Sequence, residues 1–225
     1  MFSIIIPALN EANNIQHCLD ALQQFRNQVE IIVVDGGSTD HTFEIAEPLV
    51  DKIIKSSKGR AKQMNKGASN AAGDMLIFLH ADTFLPENAL NLIQQNHLHW
   101  GRFDIQLSGN LAMLKVISFF MNWRSRLTGI ATGDQVIFVN KHLFDQVGGF
   151  PDLALMEDIS LCSKLKKISQ PICLKEKVIS SGRRWEQYGV IKTILLMWSL
   201  RLRYFFGENP EVLSTLYSRG LFWKP

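Results

Sequence analysis

Four short stretches hold side chains able to do chemistry, and three of them stand just after apolar runs. Asn10-Glu11 follows Ser3 to Ile6, closed by Pro7. Asp35 follows Ile31-Ile32-Val33-Val34 and opens the turn Gly36-Gly37-Ser38-Thr39-Asp40. His80-Ala81-Asp82 follows Met75 to Leu79. The fourth, Met156-Glu157-Asp158, opens a segment with apolar residues at Leu161, Leu165 and Ile168. A carboxylate at a strand tip can accept hydrogen bonds from a base N–H or from ribose hydroxyls. Asp35 suits that use; the plain alternative is that it only shapes its turn. Ser38 or Thr39 suits a helix cap.

His80 and Asp82 stand two residues apart, which at a strand end puts both on one side. A hard divalent cation takes carboxylate, phosphate and water oxygens. Asp82 together with a diphosphate could therefore hold Mg²⁺ or Mn²⁺. Otherwise His80 is a satisfied loop histidine and Asp82 or Thr83 caps a helix from Pro86. Arg60 and Lys62 lie near a helix start, where cations and backbone N–H groups can neutralise a diphosphate; the bland use is a solvated face. Of the adjacent Glu157 and Asp158, one is expected to face a site, where a carboxylate can take the proton of an attacking hydroxyl. Carboxylates at a helix N-terminus are also common without any such role. Arg183-Arg184-Trp185 joins cation to aromatic, fit either to clamp phosphate and stack on a sugar or to anchor a surface turn.

These groups need elements that hold them at one edge. Short apolar runs at Ser3–Ile6, Ile31–Val34, Ile53-Ile54 and Met75–Leu79 read as strands, the first two buried. Between them, Ile15, Leu19, Leu22 and Phe25 mark one helix, Phe43, Ala46 and Leu49 a second, and Ala61, Met64, Ala68 and Ala71 a third, stopped by Gly73. Alternation of strand and helix predicts a mostly parallel α/β sheet, in which ligands bind beyond the carboxyl ends of the strands. The polar groups fall at those ends, so Asp35, Asp82 and Asp158 are expected to share one rim. Further on, Phe103, Ile105 and Leu107 alternate with Asp104 and Gln106 as a strand with one wet face. A helical stripe at Leu111, Leu114, Ile117, Phe120 and Met121 and a strand over Val136–Val139 follow. A long helix carries Ile191, Ile194, Leu195, Trp198, Leu202 and Phe205.

Composition bounds the class. With 46% hydrophobic and 20% charged residues the chain is ordinary globular protein, which excludes disorder and fibrous folds. A net charge of +3 is too small to imply nucleic-acid binding. Three cysteines in no CxxC pair fit a reducing compartment rather than a disulfide framework. The sequence contains no GxxxxGK[ST] and no GxGxxG, so phosphates must be held by a metal or by basic side chains. The longest apolar runs are too short to span a bilayer. Both are bracketed by Lys and Arg, a pattern of membrane-surface helices and of core helices with snorkelling cations.

In that order the motifs resemble family 2 glycosyltransferases of the GT-A fold: Ser3 to Glu11, Val33 to Asp40, Gly59 to Gly73, Leu79 to Thr83, and Gly148-Gly149-Phe150 followed by Glu157-Asp158. The His-Ala-Asp-Thr form, Gly133-Asp134-Gln135 and Arg183-Arg184-Trp185 resemble a small bacterial subgroup. The resemblance implies a GT-A-like, mostly parallel twisted sheet flanked by helices, with C-terminal helices. It implies one domain over 1–225, with a donor half at 1–83, an acceptor and catalytic half at 84–186 and a helical segment at 187–225. Pro7, Ala8 and Glu11 would line the nucleotide pocket, with Asp35 and Gly37 at the base or ribose. Arg60, Asn65, His80 and Ala81 would complete the donor site, Asp82 would bind a divalent cation, and Asp158 would be the catalytic base. Arg184-Trp185 is similar to an element that grips diphosphate and acceptor. The implied reaction moves a sugar from a nucleotide diphosphate-sugar to an acceptor hydroxyl with inversion, in the cytoplasm. The basic apolar helix from Tyr188 to Phe206 points to peripheral contact with the inner membrane and to a lipid-linked or amphiphilic acceptor. Two departures stand out: Gly36 replaces a second ribose-side Asp, and His80 replaces the first Asp of DxD. They motivate a second reading, a catalytically inactive nucleotide-sugar-binding or membrane-surface module.

Overall fold

Residues 1–95 and 99–219 are described by the computed structural model; residues 220–225 of the expected C-terminal segment lie outside the described residues. The first half runs β1 (Phe2–Ala8), α1 (Ala12–Leu22), β2 (Val29–Asp35), α2 (Thr42–Ala46), β3 (Lys52–Lys55), α3 (Arg60–Asn70) and β4 (Met75–Phe78). Next come β5 (Thr83–Phe84), α4 (Ala89–Gln95), β6 (Trp100–Ser108), α5 (Met113–Thr128), β7 (Ile137–Asn140) and α6 (Lys141–Gln146). The chain continues through α7 (Glu157–Leu165), β8 (Ile172–Ser181), α8 (Arg183–Tyr188), α9 (Val190–Phe205) and α10 (Pro210–Arg219).

One sheet takes all eight strands, in the order β3-β2-β1-β4-β7-β6-β8-β5. β1, β2, β3 and β4 are parallel neighbours, and β6 pairs parallel with β8. β7 runs antiparallel to both β4 and β6, and β5 antiparallel to β8. The sheet is therefore mostly parallel, as expected, and helices cover it. Alternate residues of one strand feed different cores: Ile4 and Ile6 pack with α1, whereas Ile5 packs with α3. Burial on both faces is why β1 and β2 read as unbroken apolar runs.

Several expectations change. β8 is absent from the sequence reading because a register shift between Phe103 and Asp104 leaves Lys175 and Glu176 unmatched, which breaks its alternation. Thr83 lies in β5 beside Ser180 and caps no helix; α4 starts at Ala89. Ser38 and Thr39 are not caps either, since α2 begins after His41. The third helix ends at Asn70, before Gly73. The long stripe on α9 is the outer face: Leu196 and Leu200 are buried, while Ile191, Leu195, Trp198, Leu202 and Phe205 are exposed. Along the second stripe, Leu114 and Ile117 of α5 are buried, but Phe120 of α5 and Leu111, just before the helix, are exposed.

Candidate active site

The parallel register sets Ala8 beside Asp35, so the ends of β1 and β2 lie together at one edge. Their loops are stitched by backbone and side chain. The Asn10 N–H donates to Ser38 Oγ at 2.9 Å and the Thr39 N–H to Asn10 Oδ1 at 2.8 Å. Gln63, buried on α3, locks the pair from below: its Nε2 donates to Ala8 O and Val34 O, both at 2.8 Å. Asp35 is buried, and its carboxylate accepts the N–H groups of Gly37 and Ser38 at 3.1 Å.

Beyond β4 the chain passes through His80 and Asp82 to β5. A cavity of about 210 Å³ opens there, lined by Pro7, Glu11, Arg60, His80, Ala81 and Asp82 on one side. Asp134, Ser180, Ser181, Arg183, Arg184 and Tyr217 line the other. Arg183 Nη2 reaches Glu11 Oε1 at 3.3 Å and Asp82 Oδ2 at 3.5 Å. It thereby ties the end of β1 to the loop after β4. Arg184 donates to Tyr217 O at 2.8 Å and lies 3.7 Å from the centre of that ring, a cation–π contact. His80 Nδ1 lies 3.1 Å from Asp134 Oδ1.

A second cavity of about 10 Å³, room for about one water, lies behind the first. Glu157 and Asp158 both line it. Arg60 and His80 line both cavities. Asp158 is fixed at both oxygens: Gly133 N–H donates to Oδ2 at 2.9 Å and Ile159 N–H to Oδ1 at 2.7 Å. Glu157 is buried with its Oε1 3.7 Å from Arg60.

The charges shape one another. Burial raises the Asp82 carboxyl, and nearby Asp134 and Glu11 add to the rise against His80 and Arg183. Burial raises Glu157 too, with Asp158 reinforcing and Arg60 opposing. Burial opposes ionisation of Asp134 as well, but the hydrogen bond and charge of His80 and the charges of Arg60 and Arg201 hold it below its ordinary value. At Arg60, burial works against the cation, yet Glu157, Tyr217, Asp134 and Asp158 raise it overall. Beneath the loop, burial pushes the Cys18 thiol up to about 12, helped by Asp82 and Glu11, which leaves it a poor nucleophile.

The residues singled out from sequence divide accordingly. Pro7, Glu11, Arg60, His80, Ala81, Asp82, Arg184 and Asp158 line the two cavities. Asp35, Ala8 and Gly37 stand at the same strand edge but line neither, so, contrary to expectation, Asp35, Asp82 and Asp158 do not share one cavity: Asp82 lines the larger and Asp158 the smaller. Asn65 clamps Phe150 through both backbone groups, at 2.8 and 3.0 Å, and Trp185 packs on the core. Lys62 pairs with Asp152 at 3.6 Å. Arg183, of the Arg183-Arg184-Trp185 motif, lines the larger cavity as well, whereas Asp134, Gln63 and Tyr217 carry no site role from sequence. Arg183 and Asp134 sat inside quoted motifs; Gln63 and Tyr217 gave no local signal. Among the described residues no three His, Cys, Asp or Glu side chains gather as a metal cluster. Nor is any helix among them long and apolar enough to cross a membrane.

Residues 3–104 match the family model for glycosyl transferase family 2. The chain is 27% identical to an uncharacterized glycosyltransferase of Haemophilus influenzae, over 96% of this chain and 92% of that one. Among solved structures, a mannosyltransferase of Pyrobaculum calidifontis in complex with GDP-Man and Mn²⁺ superposes with TM-score 0.60 at 20% identity, over 80% of this chain and 56% of that one. S. aureus TarS in complex with UDP-GlcNAc superposes with TM-score 0.63 at 19% identity, over 80% of this chain and 58% of that one. The chain thus spans little more than half the length of these two structures. Residues 3–104 are thus similar to family 2 glycosyltransferases, and the fold around them is that of the GT-A type.

Proposed function

We propose that the chain moves a sugar from a nucleotide diphosphate-sugar to an acceptor hydroxyl, with inversion at the anomeric carbon. One observation carries this reading: Asp82 and Asp158 line two cavities that have Arg60 and His80 in common. Residues 1–83 hold the donor, 84–186 supply the acceptor side and the base, and 187–225 form the helical segment. The nucleotide lies over the ends of β1 and β2, near Pro7, Ala8, Glu11, Asp35 and Gly37. Its diphosphate faces Arg60, Arg183 and Arg184, whose charge stabilises the leaving group.

The residues present fit a divalent cation. Asp82 is a carboxylate lining the larger cavity, raised above its ordinary value by burial and then by Asp134 and Glu11. With diphosphate oxygens and waters it would complete the oxygen set that Mg²⁺ or Mn²⁺ takes. His80 is turned the other way, its Nε2 enclosed against Gly133. A bound cation supplies further neutralisation of the departing diphosphate, and the neighbour solved with GDP-Man and Mn²⁺ supports that role.

Asp158 takes the proton of the acceptor hydroxyl. The acceptor oxygen then bonds the anomeric carbon from the face opposite the diphosphate. The bond from that carbon to the phosphate oxygen breaks, and its electron pair leaves with the diphosphate. Gly133 and Ile159 N–H groups hold the carboxylate in place for this step. The acceptor is amphiphilic or lipid-linked and is met at the cytoplasmic face of a membrane, a reading supported by the basic apolar surface of α9.

A thermal-shift screen of UDP and GDP, each with Mn²⁺ or with chelator, tests the donor site. A ligand at about a hundred times its Kd stabilises by about 2.7 kcal/mol. For a chain of this size that is a rise of roughly 5–10 °C in Tm. No rise with any nucleoside diphosphate would contradict the reading.

A further inference from the structure

α5 and α9 turn broad apolar faces away from the protein. On α5, Val116, Phe120, Trp123 and Leu127 recur at three- and four-residue steps along one side, with Phe120 57% and Trp123 53% exposed. On α9 the same spacing aligns Ile191, Leu195, Trp198, Leu202 and Phe205, with Trp198 70% and Phe205 81% exposed. Scattered apolar side chains on a surface need no explanation, but two continuous helical stripes do. Cations on the two helices also act on one another. The Arg124 guanidinium on α5 is pushed down to about 10 by burial and then by the charge of Arg201 on α9.

The charge on these helices has one sign. Neither Met113–Thr128 nor Val190–Phe205 contains an Asp or Glu, whereas both carry Lys and Arg, at 115, 124 and 126 and at 192, 201 and 203. In the rest of the chain acids outnumber bases. A groove of about 550 Å³ flanks α5, with Phe119, Trp123, Lys115 and Lys177 on its walls. Its acid, Asp104, is already bound to Arg102 and Arg126. Among the described residues Lys115 and Lys177 belong to no ion pair.

We propose that the α5–α9 face docks on an anionic phospholipid bilayer, Trp123, Trp198 and Phe205 entering the interface and Lys115 and Lys177 meeting lipid phosphates. Aromatic side chains with a polar edge suit the headgroup level, and cations beside them suit an anionic leaflet. A second copy of the chain suits the face poorly, because a two-fold contact would set cations against cations. The docking deepens the amphiphilic-acceptor reading and rests on it for its purpose alone. Asp158 raises both Arg124 on α5 and Arg201 on α9 against the burial that lowers them.

Flotation of the full chain with vesicles tests this. Mixed phosphatidylcholine–phosphatidylglycerol vesicles should bind it at least roughly tenfold more tightly than pure phosphatidylcholine. The double variant Trp123→Glu, Trp198→Glu should lose more than roughly tenfold on the mixed vesicles. Lys115→Glu with Lys177→Glu should weaken binding to the mixed vesicles only. Melting curves and nucleoside diphosphate binding, run on each variant, show whether the fold and the donor site are intact. Absence of flotation on both vesicles, with nucleotide binding retained, overturns the docking and leaves the transferase reading standing. Undiminished flotation of the Trp double variant overturns it too, as does a dimer in sedimentation equilibrium that Trp198→Glu dissolves.

Discussion

The Gly133 N–H donates to Asp158 Oδ2 at 2.9 Å while the same glycine passes directly against His80. A Cβ at 133 would fall 2.5 Å from His80 Nε2. One residue without a side chain thus lets the loop hold the candidate base and still clear His80. We predict that Gly133→Ala costs about 1–3 kcal/mol of stability through this clash. Transfer should fall by at least roughly tenfold, because the base is displaced. Urea denaturation and a coupled diphosphate-release assay measure the two effects; unchanged release would break the link between Gly133 and the base.

Gly36 meets a similar limit at the donor edge. A Cβ there would lie 3.0 Å from the Gln63 amide, which holds Ala8 O and Val34 O. Gln63→Ala leaves both buried carbonyls without that donor, a cost of about 2 kcal/mol. Tm should drop by roughly 4–8 °C. A drop below a degree would mean that the amide contributes little.

Asp82→Ala should weaken UDP or GDP binding in Mg²⁺ or Mn²⁺ and change it little in chelator, since the carboxylate serves the cation. Calorimetry in both buffers separates the cases. An equal loss with and without metal would assign Asp82 to the nucleotide directly.

Glu157 gives a signed pH effect. Its carboxyl is raised above its ordinary value of 4.5 by burial and by Asp158. A folded state that binds the proton more tightly than the unfolded chain loses stability as pH rises from that ordinary value through the raised one. Glu157→Gln removes this loss. Its stability relative to the wild type should therefore grow from pH 4 to pH 7 in denaturant titrations. A difference that shrinks over that interval would reverse the assigned direction.

The donor edge was legible because parallel strands buried on both faces leave a simple trace: an apolar run, then polar residues at its end. Ser3–Ile6 with Glu11 and Met75–Leu79 with Asp82 follow that rule. Asp35 followed it too, yet its carboxylate is taken up by its own turn. Arg183 was harder to assign because its position depends on β8 pairing with β5, where Thr83 meets Ser180 across the chain. The bulge in β8 hides that strand from any periodicity count. Tyr217 enters through the packing of α10 on α9, a contact no local pattern encodes. The exposed stripe of α9 shows the limit of helical spacing: it finds an apolar face but not which way the face turns.

The base assignment is tested most directly by Asp158→Asn, compared with the wild type for nucleoside diphosphate affinity and for sugar transfer from a donor that the wild type turns over. We predict unchanged affinity and a loss of transfer of at least roughly a hundredfold. Transfer at the wild-type rate by this variant would contradict the role of Asp158.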